Sequence, residues 1–428
     1  MNIYSYEQAF GAADKTTRAM RRALKQWQRL YYGTSQEGDP SQRIAYTVVS
    51  KIVKTVFGEY RATATDPVVQ TLLSSLDRHR KAAVQLALMG GECYLKPCPH
   101  PQGFDFTLIP RQNVLVFGRN ADGDPVDLGT AERSTLGKYY YTLLERRQVD
   151  ERGYLTIENR LYRSLTAENL GNRVSLAEHP DYRDLPERYT FSVPMGSVGL
   201  VRMVTPMVNC VDGSPDGVAV FAPAAELIAN IDQNEAQLSG EFLRGESRVI
   251  VSADMLSKEG LEDHLFVGLD EDPERVGLTV FAPQLREQSF LARKQEYLRN
   301  VESIVGLKRG MLSDANVEDR TATEITSSAG DYSLTVMDFQ AMWQQALEQT
   351  IALCAKLARV YRMAQPEDLR ITVDWGNGVL YDEDKTWSQY MAMVAAGMLK
   401  PEIALGWRFG MPTDTDEDLA AIRQRLMP

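Results

Sequence analysis

The chain has 428 residues, 44% of them hydrophobic and 25% charged, so it is longer than a single core usually grows and has the balance of a globular protein. A formal net charge of −11 argues against a protein whose main task is to grip nucleic acid by neutralising phosphates. No apolar run reaches the roughly 18 residues that span a bilayer, and Met1–Tyr6 carries no basic region leading into an apolar stretch, so neither membrane insertion nor secretion is expected.

In chain order, Asp14 to Tyr32 reads as a helix with Ala19, Ala23, Trp27, Leu30 and Tyr31 near one face and Gly33 as its stop. Arg18, Arg21, Arg22, Lys25 and Arg29 are interspersed, which suits a nucleic acid, an acidic partner or simply a solvated face. Further helices are predicted from Arg43 to about Tyr60, and from Leu72 to Gly90 with Gly90–Gly91 closing it. Candidate strands follow at Glu92–Lys96, Phe104–Ile109, Val114–Phe117, Tyr139–Arg147 and Tyr154–Tyr162, separated by turns such as Asp122–Pro125 and Arg152–Gly153. This pattern predicts an antiparallel α+β region. Asn172 to Asp212 reads as loops and short strands, and Asp212–Gly217 is a loop expected to close the region.

Pro223 sits in the first turn of a long predicted helix with a stripe of Leu227, Ile228, Ile231, Leu238 and Phe242, ended by Gly245. Its other face is polar: Asn230, Asp232, Gln233, Asn234, Glu235 and Gln237. Arg248 to Pro283 reads as a compact insert, with candidate strands Arg248–Val251 and Leu278–Phe281 around a polar, acidic middle. A helix returns over Leu285–Val305, with Phe290 or Leu291, then Leu298, Val301, Ile304 and Val305 as its apolar face. Two helices and an insert predict a hairpin-like projection with a small module at its tip.

Gly306 to Arg320 has glycine, charges of both signs and no periodicity, so a loop is expected. Thr321-Ala322-Thr323-Glu324 then fits a capping box that opens a long helix, striped by Leu334, Met337, Ala341, Leu347, Ile351, Cys354 and Ala358, with Gly330 a candidate bend. Pro366 ends it, Leu369–Trp375 alternates as a strand, and Gly376-Asn377-Gly378 turns the chain. Two short helices, Asp384–Ala396 and Lys400–Phe409, are broken at Gly397. A third runs over Thr415–Leu426, where Asp416, Glu417 and Asp418 favour the positive end of the helix dipole.

Enzyme constellations are absent from the sequence: no GxxxxGK[ST] phosphate loop, HExxH, GxSxG or GxGxxG, and no cysteine pair repeated at zinc spacing. Cys93, Cys98, Cys210 and Cys354 form no framework and read as reduced thiols, and no cofactor or metal site is expected. His79, His100, His179 and His264 each lack a partner at recognisable spacing, and Gly196-Ser197-Val198-Gly199 is better explained as a turn than as a nucleophile. Asp270, Glu271, Asp272 and Glu274 are dense enough to hold a magnesium ion, but such a run reads first as a solvated loop.

The order of these elements resembles the portal proteins of tailed phages, particularly the branch of siphophages and prophages of Gram-positive bacteria. The likeness is carried by Lys25-Gln26-Trp27 through Arg29–Gly33, Leu88–Glu92 with Tyr94–Pro97, and Glu158–Ser164 with Leu170–Leu176. Most telling is Gly306-Leu307 followed by Arg320-Thr321-Ala322-Thr323-Glu324-Ile325. The order in which these motifs follow one another carries the resemblance.

The resemblance implies a portal-like α+β fold in a dodecameric ring at one capsid vertex, through which double-stranded DNA is packaged and ejected. It implies a wing over residues 1–221, stem helices at 222–247 and 285–305, a clip at 248–284 and a channel loop at 306–320. A long wing helix plus strand at 321–383 and crown helices at 384–428 complete the chain. On that reading Lys308 and Arg309 touch phosphates transiently, while Asp314, Asn316, Glu318, Asp319 and Arg320 share the loop and its acids keep the contact weak. Asn230, Gln233, Asn234 and Gln237 would line the channel, and Thr321 and Glu324 would cap the helix behind the loop. Implied partners are further copies of the chain, the terminase large subunit, major capsid and scaffolding proteins and a head-tail adaptor, with no membrane. The chain would reside in the virion, and in the host cytoplasm during assembly. The alternatives are a metal-dependent nucleic-acid enzyme using the acidic insert, and another phage head protein such as a capsid or adaptor subunit.

Overall fold

The structure is a computed structural model and describes residues 3–34, 41–245, 248–252, 266–269, 279–281, 285–314, 322–376, 383–413 and 415–426, with side chains left out at 3–4, 248–281, 322–331 and 383–386. The chain forms two compact units, residues 1–53 with 64–371 and residues 54–63 with 372–428.

The first unit begins with α1 (Ile3–Phe10), α2 (Arg18–Tyr32) and α3 (Ile44–Val56). The helix expected from Asp14 starts only at Arg18, because the Asp14 carboxylate accepts from Thr16 and from the Val116 N–H and keeps the entry extended. Thr17 then caps α2 by accepting from the Met20 N–H at 3.1 Å. Its predicted stop holds, with Gly33 at φ 63° donating to the Arg29 carbonyl. The helix expected to reach Tyr60 ends at Val56, where Gly58 closes a turn onto Thr55.

The single helix predicted over Leu72–Gly90 is two: α4 (Pro67–Asp77) and α5 (Arg80–Gly90). Arg80 breaks the run by donating to both the carbonyl and the carboxylate of Asp77, each at 2.9 Å. Asp66 caps α4 through the Val68 and Val69 N–H groups. Gly91, at φ 84°, ends α5 and abuts Gly217 so closely that a Cβ on either would meet the other's carbonyl at 2.2 Å.

Two antiparallel sheets follow. One has the order β10 (Val201–Val204), β2 (Glu92–His100), β3 (Gly103–Pro110). The other runs β4 (Val114–Arg119), β5 (Pro125–Leu136), β6 (Tyr139–Val149), β7 (Tyr154–Ser164), β8 (Asn172–Val174), with β9 (Arg188–Pro194) also on β7. The sequence reading missed α1 and β5. Strand β5 carries Asp127, Gly129 and Glu132 and has little intrinsic strand preference, yet it is flanked by partners on both sides.

Buried charge ties this unit together. Glu92, fully buried, accepts from Arg202, from the Tyr94 hydroxyl at 2.8 Å and from the Gly217 N–H at 2.8 Å, with Arg111 Nε 3.6 Å away. Arg111, also buried, bridges to Asp216 at 3.0 Å and to Thr16 at 2.9 Å, and Arg119 joins the same Asp216 carboxylate. Burial alone would push the Glu92 carboxyl up, but the Arg202 and Arg111 guanidiniums outweigh it and hold its pKa down at about 2. Glu145 is likewise buried and held at about 2 by Arg147 and Lys96 against the cost of burial. The loop Asp212–Gly217 is thus stitched into the sheet region through Asp216 and the Gly217 N–H.

Next come α6 (Ala225–Arg244), a sheet with the order β12 (Phe266–Leu269), β11 (Arg248–Ser252), β13 (Thr279–Phe281), then α7 (Glu287–Val305) and α8 (Ala322–Val360). Pro223 lies in a short 3₁₀ turn ahead of α6 and not in its first turn. The two predicted insert strands pair antiparallel, while β12, which the sequence reading missed, lies parallel to β11. Helix α8 is unbroken through Gly330. Its expected stripe holds from Leu347 to Ala358 but not before: Leu334 and Met337 are exposed, and Tyr332, Val336, Phe339 and Trp343 are buried in their place.

In the second unit, β1 (Arg61–Ala64) pairs with β14 (Ile371–Asp374), and Trp375 packs on Phe57 and Tyr60. Helices α9 (Glu383–Ala395), α10 (Pro401–Phe409) and α11 (Asp416–Leu426) match the predicted tail. Thr415 and Asp418 cap α11 reciprocally, and Arg423 pairs with the buried Glu402.

Candidate functional site

Helices α6 and α7 lie antiparallel, as their cross-pairs require. Asn234 donates to the Phe290 carbonyl at 3.1 Å, Lys294 meets Glu235 at 3.0 Å, and Arg286 grips Glu241 through two nitrogens at 2.9 and 2.7 Å. Ile228, Ile231 and Leu238 of α6 and Leu298, Val301 and Val305 of α7 are buried. Three residues expected on the apolar faces, Phe242, Leu291 and Ile304, stay exposed.

The polar flank of α6 divides in two. Asn230, Gln233 and Gln237 are exposed, and at spacings of three and four they share one face. Asn234 departs from the expectation that it lines a channel: it is buried against α7, one helical step round, where its amide satisfies the Phe290 carbonyl. The segment before α3 is fastened to both helices, because the Gln42 N–H donates to Asp232 at 2.7 Å while its side chain accepts from Lys294 at 3.0 Å.

The loop after α7 is ordered by a residue that sequence reasoning missed. Glu302 is fully buried, and its carboxylate accepts from the N–H groups of Gly310, Leu312 and Ser313 and from the Ser313 hydroxyl at 2.8 Å. Gln295 accepts from the Asp314 N–H at 2.8 Å. Gly306, at φ 75°, closes α7 by donating to the Glu302 carbonyl, and a Cβ there would run into Thr335 of α8 at 2.5 Å. The one available signal was a glutamate interrupting the apolar run Leu298, Val301, Val305.

This anchoring leaves Lys308, Arg309 and Asp314 exposed on a loop whose backbone is held from beneath. Asn316, Glu318, Asp319, Arg320 and Thr321 lie outside the described residues, as does the Glu324 side chain, so the capping box is not described. The acidic run Asp270–Glu274 and His264 also lie outside. Among the described residues no group of His, Cys, Asp and Glu converges as metal ligands. Burial pushes the Cys93 thiol up to about 12, and Cys354 is raised by the same cause. His179 stacks on Tyr182 with ring centroids 4.5 Å apart and sits edge-on to Tyr141, a packing role.

The helix pair, its insert, the loop and α8 all fall within residues 129–425, over which the chain matches the family described as "Phage portal protein, SPP1 Gp6-like". The chain belongs to this phage portal family. No curated protein matches this portal protein. Among solved structures it is similar to a chain of "Neck of native GTA particle computed with C12 symmetry", with 14% identity and a TM-score of 0.47, covering 95% of this chain and 98% of that one. The family is a structural one.

Proposed function

We propose that this portal protein assembles as a closed dodecameric ring at one vertex of the virion, through which double-stranded DNA is packaged and ejected. Residues 1–221, with 321–383, form the wing; α6 and α7 are the stem; 248–284 is the clip; 306–320 is the channel loop; 384–428 form the crown. The clip docks the packaging motor, whose large terminase subunit supplies the ATP chemistry, and later the head-tail adaptor. Capsid and scaffolding proteins surround the ring during assembly in the host cytoplasm.

The observation that carries this reading is the Glu302 anchor. A loop meant to touch moving DNA must hold its backbone against drag while presenting only weakly attracting side chains. The buried carboxylate supplies the hold, and exposed Lys308 and Arg309 beside Asp314 supply weak attraction. Two further features support it. Asn230, Gln233 and Gln237 give α6 a wettable face, and exposed Leu291, Ile304, Leu334 and Met337 are apolar surface that neighbouring copies in a ring would cover.

Electron micrographs of the purified protein viewed down its symmetry axis should show rings with a central bore. Replacing Lys308 and Arg309 together by alanine is expected to lower packaging efficiency several-fold or to change packaged DNA length. Unchanged packaging by intact variant rings would remove the loop from the DNA path.

A further inference from the structure

Helix α2 carries five cations and no acid in a chain of net charge −11. Only Arg21 turns inward, to Glu7 and Asp14. Arg18, Arg22, Lys25 and Arg29 are exposed and have no ion pair or side-chain hydrogen bond among the described residues. Elsewhere in the same unit arginines such as Arg111, Arg119, Arg146, Arg147 and Arg202 are matched with carboxylates.

Their spacing is four, three and four, so the four charges form one stripe about 16 Å long at 1.5 Å per residue. Like charges at these spacings oppose the helix, and Arg18 at the first turn opposes its dipole as well. The dipole cost is partly offset, because Arg29 lies in the last turn and the Asp212 carboxylate accepts from the Thr17 hydroxyl at the first, but among the described residues no carboxylate pairs with any of the four cations. The stripe is also rigid: Met20 and Trp27 on the opposite face are fully buried, Thr17 caps one end and Gly33 the other. The Arg43 side chain lies against Gly33, extending positive charge past the helix end, and Gln42 beside it bonds to both α6 and α7.

From this we infer that the outer face of α2 is a second polyanion-binding site, separate from the 306–320 loop, and that its ligand is the phosphate backbone of duplex DNA. A fixed row of unpaired cations matches a regular row of phosphates and reads no sequence, since the stripe offers charge without a base-reading constellation. The choice of DNA as the polyanion rests on the portal reading; the site itself does not.

The test uses assembled rings and a short random-sequence duplex, with affinity titrated against salt. Replacing Arg18, Arg22, Lys25 and Arg29 together by alanine should reduce the slope of log affinity against log salt by about 3.6, roughly a hundredfold change in affinity across a fourfold range of salt. Alanine suits an exposed helix face, so the fold should survive. Arg18→Lys, Arg22→Lys and Arg29→Lys together should keep the slope, because charge is retained, and Lys308→Ala with Arg309→Ala should leave the α2-dependent part intact. An unchanged slope in intact rings overturns the proposal. So does loss of ring assembly by the alanine variant with DNA affinity retained, which would assign the stripe to a neighbouring copy. If the wild-type chain forms no rings, the portal reading falls, while the same titration on the full unassembled chain still decides the site.

Discussion

The sheet region and the α6–α7 pair both use arginine–carboxylate contacts of similar length, yet the two sets do different work. Around Arg111 the groups are sealed from water: Glu92 and Arg111 are at most 1% exposed and Asp216 is buried. Between α6 and α7 the pairs lie near the surface, with the Arg286 side chain 71% exposed. In the first setting desolvation is large, so each charge depends on its partners and the loss of one is severe. In the second, water already solvates the ions and the contact chiefly selects an orientation. Burial, more than distance, decides which contacts hold the fold and which merely set how two helices meet.

Arg111→Met tests the buried half. It leaves Glu92 with Arg202 and Asp216 with Arg119 but removes the bridge between them, and the loss should be about 3–5 kcal/mol of unfolding free energy by denaturant titration. A loss near zero would mean that water reaches the cluster and that the contrast with the helix pair is wrong.

Glu302 comes next, because it is buried like the first set yet serves a loop beside the second. Glu302→Ala strands the N–H groups of Gly310, Leu312 and Ser313, with an expected cost of about 1–3 kcal/mol. The amides of Leu312 and Ser313 should lose hydrogen-exchange protection while those of α6 keep theirs. Glu302→Gln, which retains one acceptor oxygen, should fall between. Equal protection in all three proteins would show that α7 and α8 hold the loop without the carboxylate.

The same contrast explains what could be read in the sequence. Apolar periodicity located α6, α7 and α8 to within a few residues because burial of one face sets both the pattern and the fold. The α+β character of the first region and the strands around Tyr139–Tyr162 were legible for the same reason. Local capping chemistry was less so: the break at Arg78–His79 depends on where the Arg80 side chain turns. Strand β5 is fixed by neighbours that its own composition does not announce. Polar residues misled where the helix periphery was ambiguous, so Asn234 looked like a member of a wet face although it lies one step round, under Phe290. Glu302 showed in the sequence only as a glutamate interrupting an apolar run, because its partners, apart from the Ser313 hydroxyl, are backbone N–H groups, which carry no sequence signature.

The smallest expected effect is at Arg286, and it sharpens the comparison most because the geometry there looks strongest. Its guanidinium meets Glu241 through two nitrogens at 2.9 and 2.7 Å, the arrangement that gives arginine pairs their directionality. With the side chain mostly in water, screening and the entropy of holding two long side chains should leave less than about 1 kcal/mol. A double-mutant cycle of Arg286→Ala and Glu241→Ala should therefore return a coupling in that range, reduced further by salt. A coupling above about 2 kcal/mol would place the pair among sealed contacts, and the outer end of the α6–α7 pair would then be covered in the assembled protein although it is open in the single chain.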